Sequence, residues 1–119
     1  MALVDTDEDV ASMAANALLN LITNNKIDPT SIGRIYLGTE SALDASKPTA
    51  TYAVGTVENV LKSKYGKRCF KNCDVVDLTF ACIGAIDAME NCMDWVRAFP
   101  DRKAIVIASD VAKYELKSP

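Results

Sequence analysis

The chemistry open to this chain of 119 residues is set first by a residue it lacks. It has no histidine, so neither a Cys-His nor a Ser-His-Asp nucleophile can be completed within it. The most informative nucleophile is Cys82, in the stretch VVDLTFACIGAIDAMENCMDWV (residues 75–96), where continuous apolar sequence gives way to helical spacing. A cysteine at a strand-to-helix junction stands beside unpaired backbone N–H groups and the positive end of a helix dipole. That position favours the thiolate without histidine, and the same N–H groups can meet a developing oxyanion, so acyl transfer to sulfur is the chemistry it suits. The plain alternative is a buried cysteine packed as a small hydrophobe.

Glu40, in LGTES, follows a short apolar run and a glycine. A carboxylate there can share a strand-end crevice with Cys82, giving a nucleophile and a general base; a solvated loop glutamate is the competing reading. Asp110, in ASDVAKY, has the ordinary explanation of a cap or turn aspartate. Lys47 could meet a phosphate, although lysine is by default a surface residue. The basic run KSKYGKR (residues 62–68) either attracts an anionic cofactor or forms a solvated helix end. Cys69, Cys73 and Cys92 read as structural or incidental thiols, and Met89, Met93 and Trp95 as packing residues. Without paired C-x-x-C units or histidine, reduced thiols and no structural metal are expected.

The elements that must position these residues follow from periodicity. Asp5 and Thr6 can cap a helix beginning near Asp7, with Val10, Met13, Ala14, Ala17, Leu18, Leu21 and Ile22 on its buried face and Asn24-Asn25 at its end. Arg34 to Gly38 reads as a strand, followed by the turn-rich GTESALDASKP. Ser46 and Pro48 resemble an N-cap and an early helical proline. Ala50, Val54, Val57 and Leu61 mark that helix's buried face, Gly66 its end, and Gly55 inside it slightly weakens the helix unless close packing requires it. Cys73 to Phe80 suits a strand covered on both faces, and Ile83, Ile86, Met89, Met93 and Val96 then give a helical face. Ala104 to Ala108 forms a last strand. This alternation predicts an α/β layer with a mostly parallel sheet, whose functional loops, at Glu40, Cys82 and Asp110, gather at the carboxyl ends of the strands.

Half the residues are hydrophobic and about a quarter charged, which fits one globular unit over residues 1–119. A net charge of -3 disfavours nucleic-acid or anionic-membrane partners. No apolar run is long enough to cross a bilayer and the first residues are acidic, so a cytoplasmic setting is expected. The sequence opens almost directly into a helix and stops soon after a buried-type strand. A parallel sheet so small is expected to belong to a larger domain that covers both its faces.

Taken together, GTESALDASK (residues 38–47), DLTFACIGAIDAM (77–89) and VIASDVAKY (106–114) resemble the 3-hydroxy-3-methylglutaryl-CoA synthase family of the thiolase-like superfamily. The similarity runs over nearly the whole chain. It implies a partial thiolase-like layered fold, part of the N-terminal thiolase-like half of a longer condensing enzyme. The implied reaction begins when acetyl-CoA acetylates the cysteine. The acetyl methyl is then deprotonated, the carbanion equivalent attacks the β-carbonyl of acetoacetyl-CoA, and hydrolysis releases the product. On this resemblance Cys82 matches the nucleophile and Glu40 the base, while Ser46 and Lys47 match a segment near the substrate entrance, with a binding role. Ile83 stands where many members carry an aromatic residue lining the reaction chamber. The family's histidine, its active-site asparagine and much of its CoA-binding surface belong to later sequence, and an initial core strand is missing here. The resemblance further implies a homodimer, the mevalonate pathway, no permanently bound cofactor, and no turnover by this piece alone.

Two other readings compete. One is a ketoacyl synthase III-like or polyketide β-branching enzyme that takes its acyl groups from a carrier protein; ketoacyl synthase III enzymes lack the motif glutamate matched by Glu40. The other is a non-catalytic α/β interaction module with a buried cysteine.

Overall fold

The computed structural model describes residues 5–111; the last three residues of VIASDVAKY lie outside that range. Six main elements follow one another: α1 (Val10–Asn24), β1 (Ile32–Gly38), α2 (Thr49–Tyr65), β2 (Asp74–Leu78), α3 (Gly84–Ala98) and β3 (Lys103–Ala108), with short 3₁₀ turns at Pro29–Ser31 and Ala81–Ile83. The three strands are parallel in the order β2-β1-β3. This is the predicted α/β alternation, with β1 in the middle of the sheet.

Strand alternation sorts the side chains into two layers. Ile35, Leu37, Ile105 and Ile107 face one way and pack with Ala14, Leu18 and Ile22 of α1 and Ala50, Ala53, Val54, Val57 and Leu61 of α2. Tyr36, with Val76, Leu78, Ala104 and Val106, faces the other way and meets Ala88 and Cys92 of α3. Two helices therefore cover one face of the sheet and a single helix the other.

Several elements differ in detail from expectation. The cap of α1 is Asp9, whose carboxylate accepts from Ser12 N at 2.7 Å while Ser12 Oγ accepts from Asp9 N at 2.9 Å. This reciprocal box outcompetes Asp5, whose side chain accepts instead from the adjacent Thr6 N. Ala17 and Leu21 lie on the exposed side of α1. Gly66 ends α2 at φ 84°, as its position predicts, whereas Gly55 faces open space, so no packing within the described residues requires it. β2 stops at Leu78, and as an edge strand its side chains are only half-covered; Phe80 is 70% exposed.

The largest correction concerns α3. Gly84, Ala88 and Cys92 face the sheet, while Ile86, Met89 and Met93 are 53%, 47% and 47% exposed. Small residues win the sheet-facing stripe because the helix lies so close to the strands that larger ones do not fit. Trp95 does pack as expected: it lies against Gly33, stacks with Phe99 at 5.7 Å and has the Arg34 guanidinium 4.8 Å from its ring.

Ser46 is not the cap of α2. The helix starts after Pro48 with no side-chain cap of its own, and its first N–H groups are bonded from across the sheet: Asp77 of β2 accepts from Thr49 N at 2.5 Å and Ala50 N at 2.9 Å. A carboxylate on a helix N-terminus answers both the unpaired donors and the dipole. Replacing Asp77 by alanine is expected to destabilise the domain by about 1–3 kcal/mol, and asparagine by less. Thermal denaturation followed by circular dichroism checks this order.

Candidate functional site

The site is built at the carboxyl end of the sheet by a close approach of backbones. A Cβ on Gly84 would lie 2.5 Å from the carbonyl oxygen of Leu78 and 3.5 Å from Gly38 Cα. A Cβ on Gly38 would collide with the backbone of Gly84 and Ala85. The first turn of α3 thus sits directly on the ends of β1 and β2, which only glycine at both positions permits. Glu40 lies two residues beyond Gly38 and Cys82 two residues before Gly84. The close approach therefore brings their two loops to the same corner of the molecule.

Cys82 occupies the 3₁₀ turn between β2 and α3 and is exposed. The first turn of α3 receives no side-chain cap, which leaves donors and the positive dipole end at the cysteine loop. Large apolar side chains flank the sulfur in sequence, with Phe80 and Ile83 both exposed. The other three thiols contrast with it. Burial raises the thiol pKa of Cys69 and of Cys92, and pushes that of Cys73 up to about 12.

Glu40 is exposed, and its carboxylate makes no hydrogen bond or ion pair among the described residues. Its backbone is another matter. Asp110 Oδ1, at the end of β3, accepts from Thr39 Oγ1 at 2.7 Å, Glu40 N at 2.6 Å and Ser41 Oγ at 3.0 Å. Ser41 Oγ in turn accepts from Val111 N, and Thr39 Oγ1 from Ser41 N. Thr39 is fully buried and its N–H donates to Leu78 O of β2, while Ser109 N donates to Gly38 O. Sequence reasoning gave no role to Thr39, Ser41 or Asp77 and read Asp110 as a turn residue. The available signal was the hydroxyl on each side of the glutamate in GTES.

Ser46 and Lys47 form part of a cleft of about 240 Å³ with Asp44, Pro48, Val76, Asp77 and Thr79. Thr79 is three residues before Cys82, so the cleft opens beside the cysteine loop. The Asp44 carboxylate shapes its rim by accepting from Ser46 N, Lys47 N and the Tyr52 hydroxyl. These bonds, led by that from Ser46 N, hold the Asp44 pKa below the usual carboxylate value; the bond to Asp44 raises that of Tyr52. Lys47 Nζ stacks 4.2 Å from the Tyr52 ring centroid, which orients the amine at the cleft mouth.

No cluster of metal-binding side chains occurs among the described residues, and no described helix is long and apolar enough to cross a membrane.

Comparison with known proteins bears on this arrangement. The family model described as hydroxymethylglutaryl-coenzyme A synthase N terminal matches residues 1–118. Hydroxymethylglutaryl-CoA synthase of Haloferax volcanii is 37% identical over 117 residues, 97% of this chain and 25% of that protein. Hydroxymethylglutaryl-CoA synthase A of Dictyostelium discoideum is 36% identical over 117 residues, 97% of this chain and 23% of that one. Among solved structures, MvaS in complex with 3-hydroxy-3-methylglutaryl coenzyme A superposes with a TM-score of 0.83 at 29% identity, covering 99% of this chain and 26% of the other. The priming β-ketosynthase of the R1128 polyketide pathway gives 0.75 at 19% identity over 92% of this chain and 29% of its own, a likeness of fold alone. The fold is thus that of the thiolase-like condensing enzymes, and the chain spans about a quarter of the length of the curated relatives it matches.

The geometry grades the four thiols: Cys82 is exposed, Cys73 half-buried, and Cys69 and Cys92 buried. Brief treatment of the folded chain with a neutral alkylating reagent near pH 8, followed by peptide mapping, is expected to modify Cys82 first, the half-buried Cys73 more slowly, and to leave Cys69 and Cys92 unmodified until denaturant is added. Equal labelling of all four would show that the burial difference does not govern reactivity.

Proposed function

The chain belongs to the hydroxymethylglutaryl-CoA synthase family through its N-terminal part, and from that membership we propose that the full-length protein condenses acetyl-CoA with acetoacetyl-CoA to 3-hydroxy-3-methylglutaryl-CoA. The observation that supports the reading is the placement of an exposed Cys82 and of Glu40, whose carboxylate is unengaged among the described residues, on adjoining strand-end loops, inside a family match that runs over residues 1–118.

In this mechanism the Cys82 sulfur attacks the acetyl thioester carbonyl, and coenzyme A leaves as its thiol, taking up a proton. The N–H groups at the start of α3 suit the oxyanion of that step. Glu40 then removes a proton from the methyl of the acetyl-cysteine. The resulting enolate carbon bonds to the β-carbonyl carbon of acetoacetyl-CoA, whose oxygen is protonated to a tertiary alcohol. Water cleaves the cysteine thioester, releasing the carboxylate product and restoring the thiol. Ser46 and Lys47, at the cleft mouth, would hold the phosphorylated end of the substrate, and Ile83 would line the acyl chamber.

The acyl groups come from coenzyme A rather than from a carrier protein. What favours this over the β-branching alternative is that relatives solved with 3-hydroxy-3-methylglutaryl coenzyme A and with CoA are 29% and 28% identical, against 24% and 25% for the curacin-pathway HMG synthase solved with its donor carrier protein. The full-length protein works as a cytoplasmic homodimer in the mevalonate pathway, with no resident cofactor. The 119-residue piece, lacking any histidine, does not turn over alone.

In the full-length protein, Cys82→Ser is expected to lower the condensation rate at least about 1,000-fold, and Glu40→Gln by a comparable order. Product formation is measured with acetyl-CoA and with an acetyl-carrier protein as alternative donors. A strong preference for the carrier would transfer the assignment to the β-branching class, and full activity of Cys82→Ser would remove the nucleophile.

A further inference from the structure

We propose that Tyr52 is the positioning residue for Lys47, its ring holding the lysine amine at the cleft mouth where the phosphorylated end of the substrate would meet it; this rests on the reading of Lys47 given above. Tyr52 stands near the start of α2 and touches the loop before that helix at two places. Lys47 Nζ lies 4.2 Å from the centre of its ring, and its hydroxyl donates to Asp44 Oδ2 at 3.2 Å. The other oxygen of Asp44 accepts from Ser46 N at 2.7 Å and Lys47 N at 3.3 Å. One aromatic side chain thus bears both on the turn that presents Lys47 and on the cation at the end of it.

The backbone of the loop has further ties of its own. Leu43 N donates to Thr49 Oγ1 at 2.9 Å, and the Thr49 and Ala50 amides donate to Asp77. What those ties leave free is the lysine stem, a flexible chain of four carbons. A lysine gives up that freedom when it binds an anion, and a ring that already holds the amine removes part of the loss. Among the described residues the Lys47 amine forms no ion pair and no hydrogen bond, so its N–H donors stay available while the ring supports the charge from one side. A tyrosine that only braced the turn would need its hydroxyl on Asp44 and not its face beneath the lysine. Substitution separates the two parts: phenylalanine keeps the face and loses the bond to Asp44, and leucine loses both.

The test uses the full-length protein and compares acetyl-CoA with S-acetylpantetheine, which carries the same thioester without phosphates, as acetyl donors at a fixed concentration of acetoacetyl-CoA. The quantity read is the ratio of kcat/KM for the two donors, which a general loss of structure leaves in place and a lost phosphate contact lowers. Lys47→Met is expected to lower the ratio about tenfold, the scale of one hydrogen bond to a charged group. Tyr52→Leu should lower it about threefold, the scale of a cation–π contact at an exposed site, and Tyr52→Phe by less than about twofold. Adding Tyr52→Leu to Lys47→Met should lower it no further, since a residue that acts through the lysine has no effect once the lysine is gone. Cys82 alkylation at the parental rate shows that each variant is folded; Tyr52 is 40% exposed, and should leucine fail that check, Tyr52→Gln takes its place. A parental ratio without the ring, a fall with phenylalanine as deep as with leucine, or an equal fall in both backgrounds overturns the positioning role and leaves Lys47 as the phosphate contact. A parental ratio in Lys47→Met overturns the binding reading itself, and the positioning role with it.

Discussion

Two glycine backbones in contact, Gly38 at the end of β1 and Gly84 at the start of α3, are the constraint on which the rest of the structure depends. A methyl group on Gly38 would enter the main chain of α3 at Gly84 and Ala85, and one on Gly84 would meet the Leu78 carbonyl oxygen at the end of β2. Since interiors are packed to crystalline density and do not yield by an ångström without cost, the helix would have to lift from the sheet. The separation of the cysteine loop from the glutamate loop is thus fixed by the absence of side chains. The same closeness explains why α3 presents glycine, alanine and cysteine to the sheet and turns its isoleucine and methionines outward.

Polar side chains near the carboxyl ends of the strands then finish what packing begins. Asp77 reaches across from β2 to the first amides of α2, and Asp110 reaches from beyond β3 to the turn after β1. In each case a carboxylate satisfies donors that the loop cannot satisfy itself. These ties connect sequence-distant segments, which leaves the turn around Glu40 and the cleft rim at Asp44 to Pro48 anchored to the sheet. Functional loops resting on rigid strand ends are the general solution of open α/β sheets.

Much of this was legible in the sequence. Apolar periodicity located all three helices and all three strands, and the junction at Cys82 was visible as a change of pattern between Phe80 and Gly84. What periodicity could not reveal was which apolar stripe of α3 faces the sheet, because Ile86, Met89 and Met93 form the stronger hydrophobic signal while the selection for small residues comes from tertiary closeness. Asp9 lost to Asp5 as the expected cap for a related reason: the reciprocal bond depends on a serine three residues on, and that serine is a weaker local cue than the Glu or Gln of a capping box. The partners of Asp77 and Asp110 lie 27 and 70 residues away, beyond the reach of any local pattern. The placing of Cys82 and Glu40 on neighbouring strand-end loops was legible in the sequence and in the family resemblance, and the close approach of the Gly38 and Gly84 backbones sets those two loops at one corner of the molecule.

The central claim is that the strand-to-helix junction makes Cys82 an acyl acceptor. Intact-mass measurement of the folded full-length protein after incubation with acetyl-CoA alone, beside a Cys82→Ala control, tests it most directly. The account predicts a single acetyl adduct that maps to the Cys82 peptide and is absent from the control. A folded protein that acquires no adduct, or one that acquires it equally in the control, would contradict the account.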